Sequence, residues 1–180
     1  MENSSAKRIV VLEENGYTIE VLRKILGSCK KENYRAVGAG PSLPAGTPSS
    51  VLLLCGRECP AGASAYGACV ADRESAFQPG FNGLSHLTTY SVDRNDADFT
   101  AKNIRTARDG STAFEIVGSC IIGRVRLGAN VGVSGVRSAL AAASAAIAAG
   151  IPFADVLQAL NAEEPVRPPG DDARTARRPE

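Results

Sequence analysis

Arg8-Ile9-Val10-Val11-Leu12 runs directly into Glu13-Glu14-Asn15-Gly16-Tyr17, and from Thr18 the apolar residues Ile19, Leu22, Ile25, Leu26 and Cys29 return at helical spacing. A short β-branched run that ends in polar and glycine residues reads as a buried parallel strand entering a turn. Thr18 is a candidate cap for the helix that follows, and Lys30 and Lys31 suit its carboxyl end. Strand, turn and helix in this order open an α/β domain.

Working outward, residues 38–49 are rich in Gly, Pro and Ser and read as a loop, whereas Val51 to Cys55 is a second run suited to a strand buried on both faces, parallel to the first. Residues 56–66 are rich in Gly and Ala, Tyr66 to Ala71 is a candidate short strand, and Asp72 to Ser85 reads as irregular. From His86 the pattern changes to short strands at Leu87 to Val92, Phe99 to Ala107, Thr112 to Val117 and Ile121 to Leu127. Asp109-Gly110 is a strong hairpin signal and Gly118-Ser119 a weaker one. This region is expected to be an antiparallel addition to the parallel core. An Ala-rich helix follows, with Val133, Val136, Leu140, Ser144 and Ile147 on one face and Gly150 as its stop. Pro152 then starts a second helix that buries Phe153, Val156, Leu157 and Leu160. The expected architecture is a three-layer α/β domain with a mixed sheet over residues 1–164. The tail at 165–180, dominated by Pro and charge, is expected to be disordered.

Composition narrows the function. The chain has 180 residues, 44% of them apolar, enough for one domain with a substantial core and short for two. Twenty Lys and Arg against nineteen Asp and Glu leave a net charge of +1, which offers nucleic acid no attraction by bulk charge. Met1 to Arg8 lacks the apolar stretch of a signal peptide, and no apolar run approaches the roughly 18 residues of a membrane span. A cytoplasmic protein without membrane insertion is expected. Cys29, Cys55, Cys59, Cys69 and Cys120 lack paired spacing and read as reduced thiols. His86 is the only histidine, which excludes multi-histidine metal sites, and as a lone residue at a strand start it reads as structural. Asp93, Asp96 and Asp98 read as turn residues before they read as a cation site.

Three stretches, in order, resemble the central domain of the ATP-dependent Mur ligases of bacterial cell-wall synthesis. Ile9 to Ile19 lies where that family has a strand and a phosphate loop T-G-T-N-G-K-T-T opening a helix. Thr89-Tyr90-Ser91-Val92-Asp93 and Asp96-Ala97-Asp98-Phe99-Thr100-Ala101-Lys102-Asn103-Ile104 resemble its T-Y-G segment and its D-A-D-F-x-A-x-N-I strand. Gly123 to Leu127, Gly132 to Ala142 and Gly150-Ile151-Pro152 resemble its G-x-V-x-L strand, its G-x-H-N-x-x-N-A-L-A-A helix start and its G-I-P junction. The second and third stretches are the specific ones and cover about residues 86–161. Their wording is nearest the muramate-alanine ligase. Residues 38–85 match poorly: the family's metal-binding acidic and histidine positions and its modified lysine have no counterpart there, and nothing matches its carboxyl-terminal amino-acid-binding domain.

The resemblance implies Mg-ATP as cofactor, but the positions that would hold it are substituted. A phosphate loop works because small residues let backbone N–H groups approach the phosphates at a helix amino end while a lysine neutralises charge. Against the family loop, the positions are Glu13, Glu14, Asn15, Gly16, Tyr17 and Thr18: Tyr17 replaces the lysine, Glu13 replaces a glycine, and Glu14 adds negative charge. Asn15, Gly16 and Thr18 match, and in the family pattern Thr18 would offer its hydroxyl to magnesium. Packing at the turn is the plainer role of Tyr17. At the adenine contacts the family's His and two Asn correspond to Ser134, Gly135 and Ser138. No catalytic residue and no metal ligand are assigned, and no cofactor is expected.

Three functions remain open at this stage. The first is a non-catalytic Mur-ligase-like scaffold or regulatory protein, whose partner is a Mur ligase or another protein chain, a second copy of this chain included. The second is an ATP-dependent peptidoglycan-precursor ligase subunit completed by a partner chain. The third is a small-molecule binding module reusing the crevice beyond the strand ends.

Overall fold

The computed structural model describes residues 7–13, 16–29, 33–39, 43–56, 58–84 and 86–162. Eight strands form one sheet: β1 (Lys7–Leu12), β2 (Tyr34–Gly38), β3 (Val51–Leu54), β4 (Ala68–Asp72), β5 (Leu87–Ser91), β6 (Phe99–Thr106), β7 (Ser111–Gly118) and β8 (Ile121–Ala129). Their spatial order is β2-β1-β3-β4-β5-β6-β7-β8. Every pairing from β2 across to β6 is parallel, and β6-β7-β8 is an antiparallel meander. The three-layer mixed α/β sheet with an antiparallel extension is therefore present.

Buried on both faces, the central strands sort their side chains by period two. Ile9, Val11, Val51, Leu53 and Val70 point into the larger core, and Val10, Leu12, Leu52, Leu54 and Ala71 into a smaller one. The larger core is closed by α1 (Tyr17–Ser28), α2 (Gly132–Ala148) and α3 (Phe153–Asn161). Among the described residues no α-helix closes the smaller core. Its lid is Ala63, Tyr66 and Phe81, carried on loops and single 3-10 turns between residues 43 and 84. This lid is the counterpart of the low-complexity stretch, where small residues lie close to backbone: a Cβ at Gly67 would stand 1.8 Å from the Pro48 carbonyl oxygen.

Four expectations need correction. β2 was not read from the sequence, because Tyr34-Arg35-Ala36-Val37-Gly38 is an edge strand with partly exposed side chains and little apolar signal. β5 is not part of the antiparallel addition: it pairs in parallel with β4 and, at Tyr90 and Ser91, with β6. Parallel neighbours ordinarily need a crossover of about a dozen residues or more. Here the short link is pinned by Asp98, whose carboxylate accepts from the Thr89 N–H at 2.7 Å and hydroxyl at 2.8 Å while Asp98 N–H donates to the Thr89 oxygen. The third correction concerns α2, which is buried around most of its circumference. Val136, Leu140 and Ser144 are buried as expected, but so are Ala139 and Ala141 to Ala146, while Val133 is 54% exposed. Small side chains let the sheet, α1 and α3 all close on this helix.

The fourth is the start of α1. Gly16, in the left-handed region at φ 71°, is its cap residue, and Thr18 lies inside the helix. The expected hairpin at Asp109-Gly110 is present, with Gly110 at φ 81°. At the far edge, Asn161 of α3 satisfies the outer side of β8, accepting from the Arg126 N–H at 3.0 Å and donating to the Arg124 carbonyl at 2.9 Å. Such a side chain blunts an edge that could otherwise add strands. Among the described residues no helix is long and apolar enough to cross a membrane. The expectations for Glu14, Asn15, Lys30, Lys31 and the tail at 165–180 lie outside the described residues.

Candidate functional site

In an open parallel sheet, a crevice forms beyond the carboxyl ends of the strands where the chain leaves one strand to one side and its neighbour to the other. That reversal falls between β1 and β3, since β2 lies on one side of β1 and β3 on the other. A cleft of about 250 Å³ opens there. It is lined by Glu13 after β1, Thr18 of α1, Cys55 and Gly56 after β3, Asp72 at the end of β4, Tyr90 of β5, and Ser134, Arg137, Ser138 and Ala141 of α2. Two groups far apart in the chain, Glu13 with Thr18 and Ser134 with Ser138, thus share one cavity. Gly135 does not line it: this glycine is packed toward Val131, whose Cβ would lie 2.5 Å from an added methyl.

The geometry of the loop is set by Glu13. Its carboxylate turns back over Gly16 and accepts the Thr18 N–H at 2.8 Å through Oε2 and the Ile19 N–H at 2.7 Å through Oε1. The first amides of a helix have no partner within the helix and form a ready anion site. Here the protein's own carboxylate takes that place. Tyr17, at the lysine position, is 8% exposed and packs into the larger core, and burial raises its phenol pKa. The packing role expected of Tyr17 is the observed one.

Further in, the Thr18 hydroxyl faces the Cys55 thiol at 3.8 Å. Burial, the largest influence, pushes that thiol up to about 11, with the Glu13 and Asp72 carboxylates adding to the rise and the Thr18 contact opposing it. Burial likewise raises the Tyr90 phenol well above its usual value, and its hydroxyl donates weakly to the Leu54 carbonyl at 3.4 Å. Neither group is poised as a nucleophile or base near neutral pH. Arg137, the only cation of the cleft wall among the described residues, is bonded to Asp93 at 2.8 Å and stands 3.9 Å from Asp72. Its charge is largely answered within the protein.

A triphosphate would need free amides and cationic side chains. Among the described residues the cleft presents two helix amides already taken by Glu13, two carboxylates and one paired guanidinium, and these residues do not fit Mg-ATP. From the sequence Cys55 reads only as a reduced thiol and Tyr90 only as part of a family segment, while Asp72 and Arg137 are not singled out. The signal was positional: the first three stand at or just after the carboxyl ends of adjacent strands, and Arg137 lies one turn from Ser134.

The remaining sequence candidates have structural roles. Asp96 is bonded to Arg73 and Arg94, Asp93 to Arg137, and Asp98 to Thr89. Among the described residues no group of three acidic, histidine or cysteine side chains could hold a metal. His86 is exposed at a shallow hollow at the opposite end of β4 and β5. All five cysteines are free thiols.

No protein-family model matches the chain. A stretch of 83 residues, 46% of the chain, is 40% identical to 16% of the UDP-N-acetylmuramoyl-L-alanyl-D-glutamate–2,6-diaminopimelate ligase of Bacillus licheniformis. In fold, 91% of the chain matches MurF of Acinetobacter baumannii at a TM-score of 0.67 and 16% identity, and 92% matches the UDP-N-acetylmuramate-alanine ligase MurC of Thermotoga maritima at 0.62 and 12%. The chain spans about half the length of those two structures, 47% in each case. In sequence over nearly half its length, and in fold over nine-tenths of it, the chain is similar to the Mur ligases, and the part it resembles is their central domain.

Proposed function

We propose that this chain is a non-catalytic Mur-ligase-like domain without a working ATP site, acting as a scaffold or regulatory partner of a Mur ligase or another protein chain. One observation carries the reading: the Glu13 carboxylate holds the Thr18 and Ile19 amides that a phosphate-binding loop of this fold would keep for its ligand. A phosphate brought beside it would meet a fixed negative charge. At 4 to 6 Å that repulsion is on the order of 1 kcal/mol or more at protein-surface dielectric, and the loop has no lysine to offset it.

Calorimetric titration of the full chain with Mg-ATP tests this. No saturable binding is expected below about 1 mM, which corresponds to less than roughly 4 kcal/mol of binding free energy. The double change Glu13→Gly with Tyr17→Lys, checked for retained fold by circular dichroism, is expected to improve affinity for ATP or phosphate. Micromolar ATP binding by the unmodified chain overturns the proposal and puts a ligase subunit completed by a partner chain in its place.

A further inference from the structure

We propose that the cleft between β1, β3, β4 and α2 binds a small organic molecule through a primary ammonium group, held by the Glu13 and Asp72 carboxylates and the Ser138 hydroxyl. The inference shares the seat of Glu13 with the proposed function but does not depend on a scaffold role.

Two side chains in this wall are more than nine-tenths buried and still have unused hydrogen-bonding capacity. Ser138 is 7% exposed and has no hydrogen-bond partner among the described residues. Asp72 is 6% exposed; its Oδ1 accepts the Glu74 N–H at 3.0 Å, while its Oδ2 has only the 3.9 Å approach of Arg137, too long for a hydrogen bond. Among the described residues no side-chain oxygen or nitrogen is sealed away from solvent without a partner, so both oxygens owe their access to the cleft they line. Glu13 adds a third acceptor, since each of its oxygens takes a single backbone N–H and keeps further lone-pair capacity.

The chemistry of these groups selects the ligand. Two carboxylates disfavour an anion, and the one cation among the described residues of the wall is bonded to Asp93. A hard divalent metal would want about six oxygen ligands, whereas no cluster of three metal-ligating side chains exists among the described residues. A primary ammonium brings three N–H donors and no acceptor, matching in number the carboxylate of Glu13, Asp72 Oδ2 and Ser138 Oγ. The Thr18 and Ser134 hydroxyls add polar contacts, and Cys55, Tyr90 and Ala141 give the carbon skeleton an apolar wall. At about 250 Å³ the cleft lies just under the roughly 300–1,000 Å³ of sites for drug-sized ligands, so its occupant is small.

The test is a titration of the full, isotopically labelled chain with ethanolamine and with 1,4-diaminobutane, followed by amide NMR shifts. Parallel arms use magnesium chloride, orthophosphate, and sodium chloride at matched ionic strength. Saturable shifts are expected at Thr18, Cys55, Arg137 and Ser138 for the amines alone, with a dissociation constant of roughly 0.1 to 10 mM, within reach of ligands this small. Asp72→Asn is expected to weaken binding about tenfold or more, as for loss of a charge-assisted hydrogen bond, and Ser138→Ala by roughly two- to tenfold. Ser138→Ala decides the matter if Asp72→Asn fails to fold. The proposal is overturned if the amines give no saturable shifts at these residues, if sodium chloride reproduces them, if Ser138→Ala binds as the parent does, or if magnesium or orthophosphate saturates the cleft instead. Tight ATP binding would overturn the proposed function on its own and leave this inference to the amine titration.

Discussion

Replacing Glu13 by alanine removes the side chain that, among the described residues, caps α1, and the consequence can be sized from the two bonds it makes. Loss of a capping side chain costs about 0.5–2 kcal/mol. Removing a carboxylate from the positive end of a helix costs about 0.3–1 kcal/mol more. With both oxygens engaged, at 2.8 and 2.7 Å, and with Thr18 and Ile19 buried, Glu13→Ala should destabilise the domain by about 1–3 kcal/mol. Urea unfolding should show a lower midpoint at unchanged slope. Glu13→Gln, which keeps an acceptor and loses the charge, should fall between parent and alanine variant. The vacated amides should then accept an external anion. Orthophosphate at ten times its dissociation constant would return about 1.4 kcal/mol to the alanine variant, and much less to the parent. A destabilisation under about 0.3 kcal/mol, well below the usual cost of a lost cap, would refute the reasoning. So would an equal gain from phosphate in both proteins, because phosphate also stabilises folded proteins by exclusion from their surface.

Gly123 of β8 lies under α3, where an added Cβ would stand 2.2 Å from Leu157 Cδ1 and 2.9 Å from Phe153 Cζ. Gly123→Ala should therefore cost about 1–3 kcal/mol by overpacking and lower the thermal midpoint, and an unchanged midpoint would show that α3 is free to shift. The Asp96 carboxyl is held down to about 2, first by its hydrogen bond from Arg94 and then by Arg73. A depressed value in the folded state means that its contribution is complete above the unfolded carboxylate value and fades as pH falls through about 2. Carboxyl NMR should find Asp96 still ionised at pH 3, and Arg94→Ala should move its titration upward; a midpoint near the ordinary 3.8 would refute the pairing.

Much of this molecule was legible before its structure. The β-branched run at residues 8–12, the apolar run at 51–54 and the alternating strands after residue 98 carry their period in their own residues, and the Ala-rich stretch ended by Gly150 reads directly as a helix. Loss of the loop lysine and glycine, at Tyr17 and Glu13, is likewise a matter of sequence alone. What the tertiary structure decided depends on partners distant in the chain. β2 counts as a strand only because β1 lies beside it, and β5 is parallel to β6 because Asp98 ties the link to Thr89. The meeting of Glu13 and Thr18 with Asp72, Arg137 and Ser138 exists only where strand ends and α2 converge. Sequence pattern records which face of an element is apolar. It does not record what lies opposite that face, or that a carboxylate read as an obstacle to phosphate would take the helix amides for itself, because those outcomes are set by packing across the fold.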